Sequence, residues 1–162
     1  MSRSQWYIGA PNGVVLCVDR MELGRISGEF YHAYQRESTR FETVDELIFG
    51  LEHFYDWINF PRQTTNNRTF TTDTLYTATP KGEREKVMTD EELLKKHGEL
   101  GTFVVRVQHR QNSSWQGRLT WMDEDKTVYF RSIWEMIKLI DDAINTVGEP
   151  DDEKQEVSWD KS

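Results

Sequence analysis

Two stretches of this chain repeat one pattern of apolar spacing, and that repetition constrains the fold more than any motif does. The first carries the apolar run Val14-Val15-Leu16-Cys17-Val18, then Gly24-Arg25-Ile26-Ser27, then Phe41-Glu42-Thr43-Val44-Asp45-Glu46-Leu47-Ile48. The second carries Phe103-Val104-Val105-Arg106-Val107, then Gly117-Arg118-Leu119-Thr120, then Phe130-Arg131-Ser132-Ile133-Trp134-Glu135-Met136-Ile137. Alternating apolar residues mark strands, because successive side chains of a strand point to opposite faces. Each stretch then places a Thr or Ser three residues before a Glu, the signature of a helix start. Each therefore reads strand, strand, strand, helix. The pattern predicts an α+β fold of two tandem β-β-β-α-like units, with an antiparallel sheet and amphipathic helices packed on one face.

The first unit is expected over residues 1–61. Its helix begins at the Thr43 cap and carries Val44, Leu47, Ile48, Leu51, Phe54, Tyr55 and Ile58 along one face. Asn59-Phe60-Pro61 ends it, since proline disfavours helix in the residue before it. Residues 62–101 form a bridge. Its Thr-rich part, Arg68 to Thr79, has the composition of an extended strand or hairpin arm. A short helix is expected from Thr89, closed by Lys95-Lys96-His97-Gly98. The second unit spans 102–148, with Ser132 and Glu135 capping a helix whose buried face is Ile133, Met136, Ile137, Ile140, Ala143 and Ile144. Residues 149–162 read as a mobile acidic tail.

At 162 residues the length suits one domain or two small modules sharing a core. Only 36% of residues are hydrophobic, but 6 Trp, 6 Tyr and 8 Phe supply large buried area. The net charge of −8 argues against broad binding to a phosphate backbone, so a nucleic-acid partner is not expected. The one cysteine, Cys17, sits in an apolar run and reads as a small buried hydrophobe. The first residues lack the apolar core of a signal peptide, and no apolar run approaches a membrane span. A cytoplasmic, bacterial-like protein is expected.

Catalysis finds little support in the sequence. His32, His53, His97 and His109 show no metal-ligand spacing, and neither a nucleophile elbow nor a phosphate loop is apparent. No metal or cofactor is expected. The densest polar cluster runs from Arg106 to Arg118, between two apolar strands, and reads as a polar loop over 108–118. Arginine offers a planar fork for phosphate or carboxylate, Asn and Gln offer paired donors and acceptors, and Trp offers a stacking face. The candidate contact residues are Arg106, Arg110, Gln111, Asn112, Ser114, Trp115, Gln116 and Arg118. A second candidate surface is the sheet face away from the helices. Alternation assigns to it Arg106, Gln108, Arg118, Thr120, Tyr129 and Arg131.

Arg106-x-x-x-Arg110 followed by Asn112-x-Ser114-x-x-Gly117 resembles the two signatures of PilZ domains. That resemblance implies cyclic di-GMP binding, with arginines on the phosphates and guanine and the Asn-x-Ser-x-x-Gly element lining the site. In that family a strand and loop separate the two signatures, whereas here they nearly touch. The runs Arg110 to Gly117 and Phe130 to Glu135, with Phe60-Pro61-Arg62-Gln63 to Arg68-Thr69-Phe70, resemble an uncharacterised family of small bacterial proteins. That second resemblance implies no activity. The expected function is a non-catalytic binding or regulatory protein, recognising a protein partner or small anionic ligand through the 108–118 loop and the outer sheet face. The alternative is a nucleotide or cyclic-dinucleotide receptor using Arg106, Arg110 and Asn112.

Overall fold

Six strands form one antiparallel sheet in the spatial order β3-β2-β1-β4-β5-β6. The computed structural model describes residues 11–22, 25–63, 68, 70 and 85–147. In chain order the elements are β1 (Val14–Glu22), β2 (Arg25–Tyr31), β3 (Thr39–Phe41), α1 (Val44–Ile58), α2 (Asp90–Leu94), β4 (Gly101–Gln111), β5 (Ser114–Trp121), β6 (Lys126–Phe130) and α3 (Ile133–Val147). The protein is therefore α+β. The tail expected over 149–162, the Gly24 of the repeated pattern, and the strand arm expected over 68–79 (apart from Arg68 and Phe70) lie outside the described residues.

The chain runs out from the centre of the sheet twice. β1 pairs with β2 and β2 with β3; β4 pairs with β5 and β5 with β6. The two halves meet at β1 and β4, where Val14 faces Val105 and Leu16 faces Phe103. Each half then turns into a helix on its capping signal. Thr43 Oγ1 accepts from Glu46 N at 3.2 Å, and Glu46 Oε1 accepts from Glu42 N at 2.7 Å. Ser132 Oγ accepts from Glu135 N at 3.0 Å, and Glu135 Oε1 accepts from Arg131 N at 2.7 Å. In both cases the glutamate reaches one residue beyond the cap, a small departure from the usual box. Asn59, in the left-handed conformation at φ 55°, closes α1.

Leu47, Leu51, Phe54 and Tyr55 of α1 share one buried cluster with Met136, Ile137, Ile140 and Ala143 of α3. The same cluster includes Leu16, Phe30, Phe41, Phe103, Trp115 and Phe130 from the strands. Burying each such side chain contributes roughly 1.5–3 kcal/mol before entropy is counted. A second cluster on the opposite sheet face joins Val15, Cys17 and Val104 to Met88, Leu93 and Met122. Burial pushes the Cys17 thiol up to about 12, so it stays protonated at neutral pH. No described helix is long and apolar enough to cross a membrane.

The expected polar loop over 108–118 is corrected by the structure. β4 continues to Gln111 and β5 begins at Ser114, so only Asn112 and Ser113 make the turn. Both take positive φ, 54° and 55°, as the tightest right-twisted hairpins require. The polar side chains sit on the paired end of the β4–β5 hairpin, which also carries the buried Trp115.

His32 is buried just beyond β2, stacked on Phe54 with ring centroids 4.0 Å apart. Its Nδ1 accepts from Tyr34 N, a bond that needs the neutral ring. Burial lowers its pKa from 6.5 to about 4. Between those values the unfolded chain binds the proton and the folded one does not, so stability falls as pH falls from 6.5 towards 4. Chemical denaturation at pH 7 and pH 4.5 is expected to show a loss that includes about 2 kcal/mol from this one residue. His32→Gln is expected to flatten that part of the profile. An unchanged slope would assign the pH dependence to other groups.

Candidate functional site at the hairpin arm

A bulge decides where the candidate residues go. Across β4 and β5 the register runs Arg106 to Arg118 and Val107 to Gly117, then resumes with His109 to Gln116 and Arg110 to Trp115. Gln108 is the extra residue. A bulge inserts one residue and so resets which face the following side chains take. Strict alternation would put Arg110 beside Arg106 on the outer face. The bulge turns Arg110 inward with Trp115, toward the helices.

There Arg110 is 4% exposed. Its Nε donates to the Pro61 carbonyl at 2.7 Å. Its Nη1 donates to Asp56 Oδ1 at 2.8 Å and to Glu52 Oε2 at 3.2 Å. Trp115 Nε1 donates to the other Glu52 oxygen at 2.7 Å. The Tyr55 ring meets Trp115 edge-on at 5.4 Å, and the Arg110 guanidinium stands 5.9 Å from the same ring. Burial pushes the Tyr55 phenol well above its ordinary range, so it is neutral. One arginine is thus shared by two carboxylates one helical turn apart on α1. These charge-assisted bonds fasten the arm to the helix.

Beside this network lies a cleft of about 220 Å³. Ile48, Phe49 and Glu52 of α1 form one wall. Arg110, Ser113, Ser114 and Trp115 of the arm form another, and Gln63 and Ile133 complete it. Phe49 is 66% exposed at the rim. Gln63 Nε2 donates to Glu52 Oε2 at 3.4 Å. Ser114 Oγ accepts from Ile133 N at 2.9 Å, which ties the base of the arm to the start of α3. The lining sets the apolar Ile48, Phe49, Trp115 and Ile133 beside polar groups of Glu52, Gln63, Arg110, Ser113 and Ser114, a mixture that small-molecule sites use.

Of the eight candidate residues, Arg110, Ser114 and Trp115 line this cleft. Gln111 and Asn112 stand at the exposed tip of the arm. Gln116 Nε2 lies 3.5 Å from the Gln111 carbonyl and 3.4 Å from that of Arg131. Arg106 and Arg118 oppose each other on the other side of the sheet. Arg106 and Arg110 therefore do not converge on one ligand. Of the expected outer-face set, Arg131 lies past the end of β6 and pairs with Glu135 at 3.0 Å. Glu52 and Asp56 escaped the sequence reading. The available signal was an acidic pair at i, i+4 flanking Tyr55 on an otherwise apolar helix face.

Among the described residues, no cluster of His, Cys, Asp and Glu is arranged to hold a metal ion. No protein-family model, curated protein or solved structure matches this chain.

Proposed function

We propose that this is a non-catalytic binding protein built from two copies of one strand-strand-strand-helix unit, with the second copy's arm specialised to hold a small ligand in the cleft. The duplication reading rests on register. Adding 89 to a number in the first half gives its counterpart: Val18 and Val107, Gly28 and Gly117, Phe41 and Phe130 (117 − 28 = 130 − 41 = 89). The strand bulge at Asp19 corresponds to that at Gln108, and the caps at Thr43 and Ser132 obey the same offset. Gly28, not Gly24, is then the partner of Gly117. Two helices packed on one face of the sheet follow from the same pairing.

The observation that carries the functional reading is the difference between equivalent places. The counterpart of Arg110 is Met21, and that of Trp115 is Ile26. The counterparts of Glu52 and Asp56 are Asp141 and Asn145, which bond to each other on the exposed side of α3. One half folds without a buried ion network at this position, so the scaffold does not need it. In the second half, two carboxylates face one arginine beside an apolar wall. That excess of negative charge favours a small ligand with an apolar body and a cationic or neutral head. The network holds its titratable groups in mutual bonds, which supports recognition over catalysis.

The test is a titration followed through the Trp115 indole N–H resonance. Short alkyl or aryl amines are compared with their matched alcohols and carboxylates. Amines are expected to shift the indole and the amides of Phe49 and Ile133, with carboxylates weakest. Phe49→Ala is expected to weaken binding about tenfold, the order of one lost apolar contact. Silence from every compound, or preference for carboxylates, would sink the reading.

A further inference from the structure

The two edges of the sheet are built differently. β3 and β6 are its outermost strands. β3 has 3 residues and β6 has 5. Each crosses a glycine: Phe41 faces Gly28, and Phe130 faces Gly117. Counting back from those pairs, Arg40 and Thr39 of β3 stand where β6 has Tyr129 and Val128. Arg40 lies 3.8 Å from Glu29, so the β3 edge is both short and charged. Short length and charge are the usual means of keeping an edge strand from pairing with another chain.

β6 has neither defence. From Lys126 to Tyr129 every residue is exposed, Val128 at 46% and Tyr129 at 66%. Its one charge, Lys126, stands at its first position, and Thr, Val, Tyr and Phe all favour extended pairing. Its register with β5 runs from Lys126 to Phe130 without a bulge. An edge strand turns every second N–H and C=O away from its neighbour. Among the described residues, β5 is the only strand that pairs with β6. Charges of opposite sign flank the strand, with the exposed Asp125 before it and the exposed Arg131 after it. Asp125 makes no ion pair among the described residues. Arg131 gives Nε and Nη2 to Glu135, which leaves Nη1 for a second carboxylate.

We propose that β6 is a self-association edge, where a second copy of this chain adds its own β6 antiparallel and joins the two sheets into one. With Val128 on the twofold axis, Thr127 stands across from Tyr129, Lys126 from Phe130 and Asp125 from Arg131, each pair formed twice between the copies. The charges select this arrangement. A parallel copy would set Asp125 against Asp125 and Arg131 against Arg131, and like charges directly opposite destabilise a sheet. Val128 meets its own copy on the helix side, because it lies across from Leu119 of the main core. One short strand from each copy makes a small interface, so the dimer is weak and reversible. The net charge of −8 opposes it at long range, and salt screens that repulsion. The association does not rest on any ligand in the cleft.

Light scattering of the full chain from about 10 μM to about 1 mM, at an ionic strength of about 0.15 M, is expected to show monomer passing to dimer. Over the same range the amides of Thr127, Val128 and Tyr129 are expected to shift and to gain protection from hydrogen exchange. Val128→Lys is expected to stay monomeric throughout, with an unchanged midpoint of thermal unfolding when dilute. Asp125→Arg and Arg131→Asp are each expected to weaken the dimer at least tenfold, one by setting cations opposite cations and the other carboxylates opposite carboxylates. Mixed in equal amounts, these two variants are expected to regain the parent's association, since each end then meets its opposite. A chain still monomeric at about 1 mM overturns the proposal, as does a dimer that survives Val128→Lys. A mixture no tighter than the two charge variants alone overturns it too. So does protection of the β6 amides that is independent of concentration, which would mean that another part of the chain already covers the edge.

Discussion

Alanine at Gly117 is expected to lower stability by about 3 kcal/mol or more, read as a fall in the denaturant midpoint without a change in slope. A Cβ built there would lie 2.1 Å from the Arg106 carbonyl oxygen and 2.9 Å from the Val107 Cα. Both are backbone atoms of the facing strand, so no rotamer change relieves the clash. The strands must separate at the point where the bulge already bends β4. Gly28→Ala is expected to do the same in the first half, where the Cys17 carbonyl oxygen would be 2.0 Å away. Gly50 in α1 provides the contrast. Its added Cβ meets side-chain atoms rather than backbone, the Phe30 ring at 3.2 Å and the Thr39 methyl at 3.8 Å, while the helix gains about 1 kcal/mol in propensity. Gly50→Ala is therefore expected to stay within about 1 kcal/mol of the parent. Equal losses at all three positions would mean that the strand crossings are looser than described.

Arg110→Met, which copies the first half's Met21, is expected to cost about 3 kcal/mol. The loss comes less from the missing bonds than from what remains. Glu52 and Asp56 keep their charge, the Pro61 carbonyl loses a donor, and all three stay where the arginine held them. Both carboxylates retain some exposure, at 29% and 27%, which places the effect at the low end for a broken buried pair. The triple variant Arg110→Met, Glu52→Gln, Asp56→Asn is expected to recover more than half of that loss. Glutamine at 52 still offers an oxygen to the Trp115 indole, and no charge is left without a partner. Denaturant unfolding of the single and triple variants measures the coupling directly. If the triple variant is no more stable than the single, the carboxylates are not what makes the single variant costly.

The helices were legible in the sequence because two independent signals coincide at each start. Thr43 with Glu46, and Ser132 with Glu135, mark the cap just where the apolar spacing changes from two to between three and four. The sheet strands near the core were legible by alternation, from Val14 to Val18 and from Phe103 to Val107. The arm was not. From Gln108 to Gln116 the one apolar side chain is Trp115, and the residue facing it across the hairpin, the buried Arg110, is charged, so the stretch shows no apolar period. Polar residues without a period look like a loop whether or not they pair. The bulge at Gln108 then moved Arg110 to the face opposite the one that counting assigns it. The sequence pairs Gly24 with Gly117 because the dipeptide Gly-Arg occurs at both places, whereas in the sheet it is Gly28 and Gly117 that lie against the backbone of a facing strand. The strand crossing at Gly28 is what actually needs the missing side chain. Glu52 and Asp56 were hidden by distance along the chain. Arg110 follows them by 58 and 54 residues, and only the closed sheet brings them together.

The seam between β1 and β4 sets the order in which the molecule assembles. Each hairpin joins strands that are neighbours in the chain, β1 with β2 and β4 with β5, so its contacts are local. The pairing of Val14 with Val105 must instead bring together points separated by most of the chain. Local contacts form early because little chain entropy is lost in making them, whereas distant strands meet late. The buried centre of the finished sheet is therefore expected to close last, and the rate of that closure is expected to limit how fast the protein folds.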